Sequence, residues 1–298
     1  MPDNNSNKLL FIVNPFSGGK NKTDWKEKIE DYFSKTQQQF KIFELTGGDN
    51  DKSELNQQIS AFNPAKVIAV GGDGTVKMVA EELINTDMIL GILPAGSANG
   101  MATELCIPTD IEKAFDIINS NNIEKIDVLK LNGKNISIHL SDMGLNALLV
   151  HYFDEGDQRG MWGYAKVAFK VFLKKRLIRL NVEINGETIS RAAYMIALAN
   201  AKKYGTGAEI NPEGNLTDGK FEVIIIRKLS LVQLFKMLVL HKAFSSDCIE
   251  IIQTEKAVIT SQTKNHFQVD GEYCGKTDNI ITEIMPSSLK ILIPAAKK

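Results

Sequence analysis

The chain has 298 residues, enough for two domains or one large one, and its 43% apolar content is ordinary for a globular protein with a sizeable core. A formal net charge of −1 gives no global electrostatic footprint for nucleic acid, so no nucleic-acid partner is expected. Cys106, Cys248 and Cys274 lie far apart, form no CxxC pair and no metal-ligand spacing, and fit a reducing compartment.

Along the chain, a polar start over residues 1–7 gives way to Leu9–Val13, a continuous apolar run expected of a strand covered on both faces. That run is too short for a signal-peptide core, and no later stretch approaches the ~20 apolar residues of a membrane-spanning helix. The expected localisation is therefore cytoplasmic, with membrane contact only peripheral. A turn over 14–19 precedes a helix over 23–32, a strand over 40–45, a polar helix over 51–62 and a buried strand over 66–70. A helix over 76–84 and a strand over 88–93, stopped by Pro94, follow. Strands alternating with helices imply parallel pairing through crossovers.

From about residue 126 the texture changes. Ile126–Leu131 and Asn135–Leu140 flank Asn132-Gly133, and Leu180–Ile184 and Thr188–Ile189 flank Asn185-Gly186, a favoured two-residue hairpin turn. Ala192–Ala199, Phe221–Ile226, Ile249–Ser261 and Asn265–Val269 continue a strand-rich half, interrupted by helical patterns over Gly163–Arg179 and Ser230–Phe244. The expected fold is an α/β domain over residues 1–126 and a mainly antiparallel β domain over 127–286.

The strongest chemical motif is Gly71-Gly72-Asp73-Gly74-Thr75, which follows a buried strand and opens a helix. Unpaired N–H groups at such a helix start favour anions, and glycine lets backbone approach a phosphate. A bare carboxylate there repels phosphate, so Asp73 needs a Mg²⁺ or a hydroxyl proton to accept; both belong to phosphoryl transfer. The bland alternative, a tight glycine turn, is the lesser reading with three glycines around one aspartate.

Five weaker segments accompany it. Pro94-Ala95-Gly96-Ser97-Ala98-Asn99-Gly100 alone reads as a capped loop. Asn14-Pro15-Phe16-Ser17-Gly18 resembles a phosphate loop without the Walker spacing, and Thr46-Gly47-Gly48 reads as a turn. All these loops follow parallel strands at their carboxyl ends, where such sheets bind ligands, and that coincidence outweighs any one motif. Farther on, Asp270-Gly271-Glu272 suits a hairpin tip or a general base presented on a turn, and Asn215-Leu216-Thr217-Asp218-Gly219-Lys220 alone says turn.

Together and in this order, these segments resemble the diacylglycerol kinase catalytic family, which includes bacterial diacylglycerol kinases and the related sphingosine and ceramide kinases. The resemblance implies an N-terminal nucleotide domain over 1–126, a β-sandwich lipid-substrate domain over 127–286, and a last segment over 287–298 that returns to the first domain. It implies that Asn14, Pro15, Phe16, Ser17, Gly18, Thr46, Gly71, Gly72, Gly74, Thr75, Ser97 and Asn99 hold ATP. Glu272 matches the glutamate assigned as proton acceptor for the lipid hydroxyl. Asp73 ranks first for Mg-ATP, although one branch gives the aspartate matching it the base's task, and Asp270, beside Glu272, is expected to be catalytic with them. Asn215, Asp218 and Lys220 resemble a Mg²⁺ site built partly from backbone carbonyls, and Asp127 resembles the acid linked to that ion through water.

The implied activity is ATP-dependent phosphorylation of a lipid hydroxyl, diacylglycerol first. Two features depart from many bacterial members: Lys77 and Met78 replace an Asn-Glu pair, and Gly96-Ser97-Ala98-Asn99-Gly100 is closer to the sphingosine/ceramide branch. An NAD kinase would share the Gly-Gly-Asp-Gly loop but lack the loop at Gly96. A catalytically silent nucleotide-binding regulator fits poorly with intact Asp73, Asp218 and Glu272. Residues 159–179 carry Lys166, Lys170 and Lys174 on one helix face, with Lys175 and Arg176 beside them and apolar residues interleaved, which suits peripheral contact with an anionic membrane. The alternative there is a solvated face over a core stripe. A homodimer is compatible with the sequence.

Overall fold

The computed structural model describes residues 8–18, 24–154, 170–203, 209–230 and 247–295. It forms two compact units, Met1–Ile126 with Ser287–Lys298, and Asp127–Pro286. The segment Ser230–Phe244 beyond its first residue, and residues 159–169 of the basic stretch, lie outside the described residues.

In the first unit β1 (Lys8–Val13), α1 (Trp25–Phe33), β2 (Gln39–Glu44), α2 (Asp51–Phe62), β3 (Lys66–Gly71), α3 (Asp73–Leu83) and β4 (Ile89–Pro94) alternate. The strands lie in the order β2-β1-β3-β4, all parallel. β3 is buried along its whole length, as expected of an uninterrupted apolar run between two covered faces. α3 starts at Asp73, three residues before the expected Val76, because Gly72 serves as its N-cap and the acid occupies the first turn.

The short α4 (Gly100–Glu104) follows the loop after β4. Then comes α5 (Ile111–Asn119), a helix absent from the expected elements. The Asp110 side chain caps it by accepting from Lys113 N–H, and Ala114, Phe115 and Ile118 face inward. Lys66 Nζ donates to the carbonyls of Ile118 and Ser120, 2.8 Å each, where the helix dipole is negative. Burial nevertheless holds that ammonium below the ordinary lysine value. The core here is aromatic. Phe33 lies 5.0 Å from Phe11 and 5.3 Å from Phe115, contacts worth about 0.5–1.5 kcal/mol each beyond their burial.

β5 (Ile123–Leu131) leads the chain into the second unit. There β6 (Asn135–Ser137) and β7 (Leu140–Gly144) are followed by α6 (Leu145–Asp154), a second helix not among the expected elements. The remaining strands are β8 (Ile178–Ile184), β9 (Glu187–Ala193), β10 (Met195–Ala199), β11 (Phe221–Ile226), β12 (Ile249–Thr254), β13 (Lys256–Val269) and β14 (Glu272–Leu292). Pairing is antiparallel in the order β12-β11-β10-β7-β13-β14, and β8 with β9 adds to the first part of β13. The expected helix over Gly163–Arg179 stops short of that end. Ile178 begins a strand whose residues alternate buried and exposed, so period 2 prevails over the helical pattern.

Two hairpins turn where Asn-Gly predicts them. Asn132 and Gly133 have φ of 51° and 73°, and Asn185 and Gly186 have 51° and 81°. Asp270 and Gly271, at 51° and 87°, make a third turn of the same kind between β13 and β14. The end of β14 belongs to the first unit, where Lys290 and Ile291 pair in parallel with Ile89 and Leu90 of β4.

Candidate active site

The carboxyl ends of β1, β3 and β4 converge on one cluster of loops. Asn14 Nδ2 donates to Thr75 Oγ1 at 3.0 Å, and Asn14 Oδ1 accepts from Phe16 N–H at 2.9 Å. Ser17 Oγ accepts from Gly72 N–H at 3.3 Å. Asn99 folds the third loop on itself, taking Gly96 N–H at 2.8 Å and giving to Gly96 O at 2.9 Å. Asp73 Oδ1 accepts from Met101 N–H at 3.2 Å, so the acid of one loop holds the helix start of the next.

Glycine is required at this junction for space. A Cβ on Gly96 would stand 2.4 Å from Gly72 Cα, and one on Gly18 would stand 2.9 Å from the Ala95 carbonyl. The backbones of the three loops touch with no room for a side chain, and their amides lie beside the starts of α3 and α4. Such an arrangement suits a polyphosphate. Ser97 and Gly74 are exposed at its surface, while Thr75 is buried and Asn14 half-buried.

The loop after β2 is organised by a residue that sequence reasoning missed. Asp51, 4% exposed, accepts from Thr46 N–H at 2.9 Å and Thr46 Oγ1 at 2.7 Å on one oxygen, and from Gly47 N–H at 2.9 Å on the other. Burial alone would raise its pKa. The donors from Thr46 and Gly47 outweigh burial and hold the carboxyl below the ordinary aspartate value. The Phe16 ring, 61% exposed, lies against Gly47.

The second unit carries the remaining site residues. Asp270 is buried, and its carboxylate accepts from Ser137 Oγ at 2.7 Å, Ile138 N–H at 2.9 Å, and His139 and Leu140 N–H at 3.0 Å each. An acid with four donors positions a turn, and its geometry does not support the catalytic role expected of it. On the other side of that turn Gln268 Oε1 accepts from Gly271 N–H at 2.7 Å, while Gln268 Nε2 donates to the buried Asp142. Glu272, at the start of β14, is thereby presented to solvent on a fixed hairpin. Gln268 and Asp142 were not among the expected residues.

The acidic turn near residue 218 is anchored through Asp127. Asp127 Oδ2 accepts from Gly219 N–H at 2.6 Å, and Asp127 N–H donates to Leu216 O at 2.7 Å. Asp218 accepts from Lys220 N–H at 3.0 Å and from Gln253 Nε2 at 3.1 Å, and the same amide nitrogen donates to Glu222 at 3.0 Å. Burial, with the Asp218 and Glu213 carboxylates adding to it, pushes the Glu222 carboxyl up despite its bonds to Asn211 and Gln253. Among the described residues no group of three or more His, Cys, Asp or Glu could hold a metal ion. A cation at this turn would rest on carbonyl and amide oxygens beside Asp218, a hard, all-oxygen donor set that fits Mg²⁺.

The diacylglycerol kinase catalytic domain pattern matches residues 8–131, and that of the YegS C-terminal NAD kinase beta sandwich-like domain matches residues 140–293. The chain belongs to the diacylglycerol kinase catalytic family. It is 27% identical over 255 residues to a Klebsiella pneumoniae protein named "Probable lipid kinase YegS-like", covering 84% of this chain and 85% of that one. It is also 27% identical over 222 residues to a Staphylococcus haemolyticus "Diacylglycerol kinase", covering 70% and 66%. The fold superposes on the crystal structure of a Bacillus anthracis diacylglycerol kinase with a TM-score of 0.73 at 19% identity, covering 97% of this chain and 98% of that one. Membership of this kinase family implies ATP as phosphoryl donor. No helix among the described residues is long and apolar enough to cross a membrane.

Proposed function

We propose that this kinase transfers the γ-phosphoryl group of ATP to a lipid hydroxyl, with diacylglycerol as acceptor and phosphatidic acid as product. The observation that carries the reading is the backbone-to-backbone packing of the Gly72 and Gly96 loops at the ends of β3 and β4, which makes an amide-lined seat for phosphate. Family membership and two relatives named as lipid kinases support the acceptor class.

In this reading the loops at Asn14–Gly18, Thr46, Gly71–Thr75 and Ser97–Asn99 bind ATP, with Asp73 on the Mg-ATP side. Glu272 takes the proton of the acceptor hydroxyl. The acceptor oxygen bonds to the γ-phosphorus as the bridging P–O bond breaks and ADP leaves with that electron pair. Asn215, Asp218 and Lys220, backed by Asp127, would hold a Mg²⁺ that neutralises charge and orders the turn.

The Gly-Ser-Ala-Asn-Gly loop favours a second acceptor, a sphingoid base or ceramide. Incubation with γ-labelled ATP and, separately, diacylglycerol, a sphingoid base, ceramide and NAD tests both. Label in phosphatidic acid is the expected result. Label in a sphingoid product moves the assignment to that branch. Label in NAD, or in none of the four, overturns it. Glu272→Gln should abolish transfer and keep ATP binding; full activity in that variant removes the base assignment.

A further inference from the structure

On the second unit, a groove of about 850 Å³ opens where the start of α6 faces the approach to β8 and the β13–β14 ribbon. Five cations line it: Lys174, Lys175 and Arg176 from one segment, and Lys264 and Lys276 from the ribbon opposite. No acidic side chain is among its described lining residues. None of the five forms an ion pair with a described carboxylate. In a chain of net charge −1, this concentration of one sign is a local feature.

The apolar part is equally unusual. Leu173 is 68% exposed and Leu177 is 55% exposed, and they bracket the three consecutive cations. The structure therefore differs from a solvated face laid over a core stripe, because the leucines themselves point into water. Behind them the walls are aliphatic and aromatic. Lys170 and Lys174 both lie over the Tyr152 ring, at 4.8 and 4.9 Å, and Lys174 Nζ donates to its hydroxyl at 2.7 Å. Lys175 stands 4.1 Å from the centre of the Phe172 ring and donates to Leu229 O at 2.9 Å. Held this way, Lys174 and Lys175 are preorganised beside the leucines, which lowers the ordering cost of binding.

Exposed aliphatic side chains between cations, with aromatic rings behind and no acid among the described lining residues, suit the boundary between lipid headgroups and acyl chains. We infer that this groove docks the protein on an anionic bilayer, Leu173 and Leu177 entering the acyl region and the five cations meeting lipid phosphates. Charge complementarity selects the occupant: a zwitterionic surface offers the leucines the same apolar layer but gives the cations no net partner. The inference rests on the lipid-acceptor reading for its purpose, and its test is independent of turnover.

The test is co-sedimentation of the full chain, without ATP, with vesicles of phosphatidylcholine alone or of phosphatidylcholine containing phosphatidylglycerol. Binding to the anionic vesicles, at least tenfold weaker in high salt and absent on phosphatidylcholine, is expected. Lys264→Glu with Lys276→Glu, and separately Leu173→Ser with Leu177→Ser, should each weaken it at least tenfold with unchanged melting temperature. Wild-type binding by both double variants overturns the proposal, as does equal binding to both vesicle types. Loss of binding accompanied by a lowered melting temperature is resolved by Lys264→Gln with Lys276→Gln: a folded variant that still binds fully also overturns it. Phosphorylation of a short-chain, water-dispersed diacylglycerol should be unaffected by these variants. A wild type that binds anionic vesicles but phosphorylates no lipid sinks the lipid-kinase reading and leaves docking standing. One that phosphorylates lipid without binding vesicles does the reverse.

Discussion

The Asp51 carboxylate holds Thr46 from two directions, through its backbone N–H at 2.9 Å and its hydroxyl at 2.7 Å. The loop after β2 is thus fixed before any ligand arrives. Asp51→Ala leaves three donors without their acceptor and should cost roughly 1–3 kcal/mol at neutral pH. The sign with pH is set by a folded carboxyl held below its ordinary value of 3.8. The contribution is present above 3.8 and is lost as pH falls through the lower folded value. Urea melts run from pH 7 downward should therefore separate variant from wild type most at pH 7, with the gap narrowing as pH falls below 3.8. Calorimetric ATP affinity should fall about tenfold; unchanged affinity would remove Thr46 from the ATP site.

Gly96→Ala tests the loop junction. Its Cβ would sit 2.4 Å from Gly72 Cα and 2.9 Å from Asn99 Oδ1, and backbone cannot step aside as a flexible side chain does. Overpacking of this kind costs about 1–3 kcal/mol. The expected signature in a thermal melt is a lower midpoint that added ATP no longer raises. A variant that keeps the full ATP-induced shift would mean that the junction does not form the phosphate seat.

Asp270 and Glu272 are two residues apart and should fail differently. Asp270→Ala strips a buried acceptor from three backbone amides and the Ser137 hydroxyl, so a loss of at least ~3 kcal/mol is expected. Glu272 is exposed, and Glu272→Gln should leave the melting midpoint unchanged while turnover disappears. Thermal melts and single-turnover assays on both variants check the pair. Unimpaired stability in Asp270→Ala would contradict its positioning role.

The parallel half was legible because its inner strands β3 and β4 are apolar runs closed by glycine or proline, at Lys66–Gly71 and Ile89–Pro94. In the β half, Asn132-Gly133, Asn185-Gly186 and Asp270-Gly271 announce their turns, since short polar residues and glycine tolerate positive φ. α5 was readable from Ile111, Ala114, Phe115 and Ile118 at helical spacing, but nine residues give a weak periodic signal. The run Ala192–Ala199 did not reveal that Tyr194 separates β9 from β10, because continuous apolarity does not encode strand partners. Asp51 looked like an ordinary acid in a first helical turn. Asp142 meets Gln268 across 126 positions only because β7 pairs with β13, which no local pattern states.

Glu222 supplies a last test, at the turn proposed for Mg²⁺. Burial, reinforced by Asp218 and Glu213, holds its folded carboxyl above the ordinary value of 4.5. Between 4.5 and that higher value the folded state binds more protons than the unfolded one, so stability falls as pH rises through the window. Glu222→Gln removes the titration and keeps an acceptor for Gln253. The Asn211 amide, whose Nδ2 donates to Glu222 and whose Oδ1 lacks a hydrogen-bond partner, must turn over to accept from the new amide. Without added Mg²⁺ the variant should be more stable than wild type at pH 7, and the gap should close toward pH 4.5. Added Mg²⁺ should narrow the gap at pH 7 by stabilising the wild type, because a cation beside Asp218 favours the ionised Glu222. Urea midpoints measured across that pH range, with and without Mg²⁺, decide the matter: parallel curves for the two proteins would show that Glu222 carries no such cost, and a gap indifferent to Mg²⁺ would place the cation elsewhere.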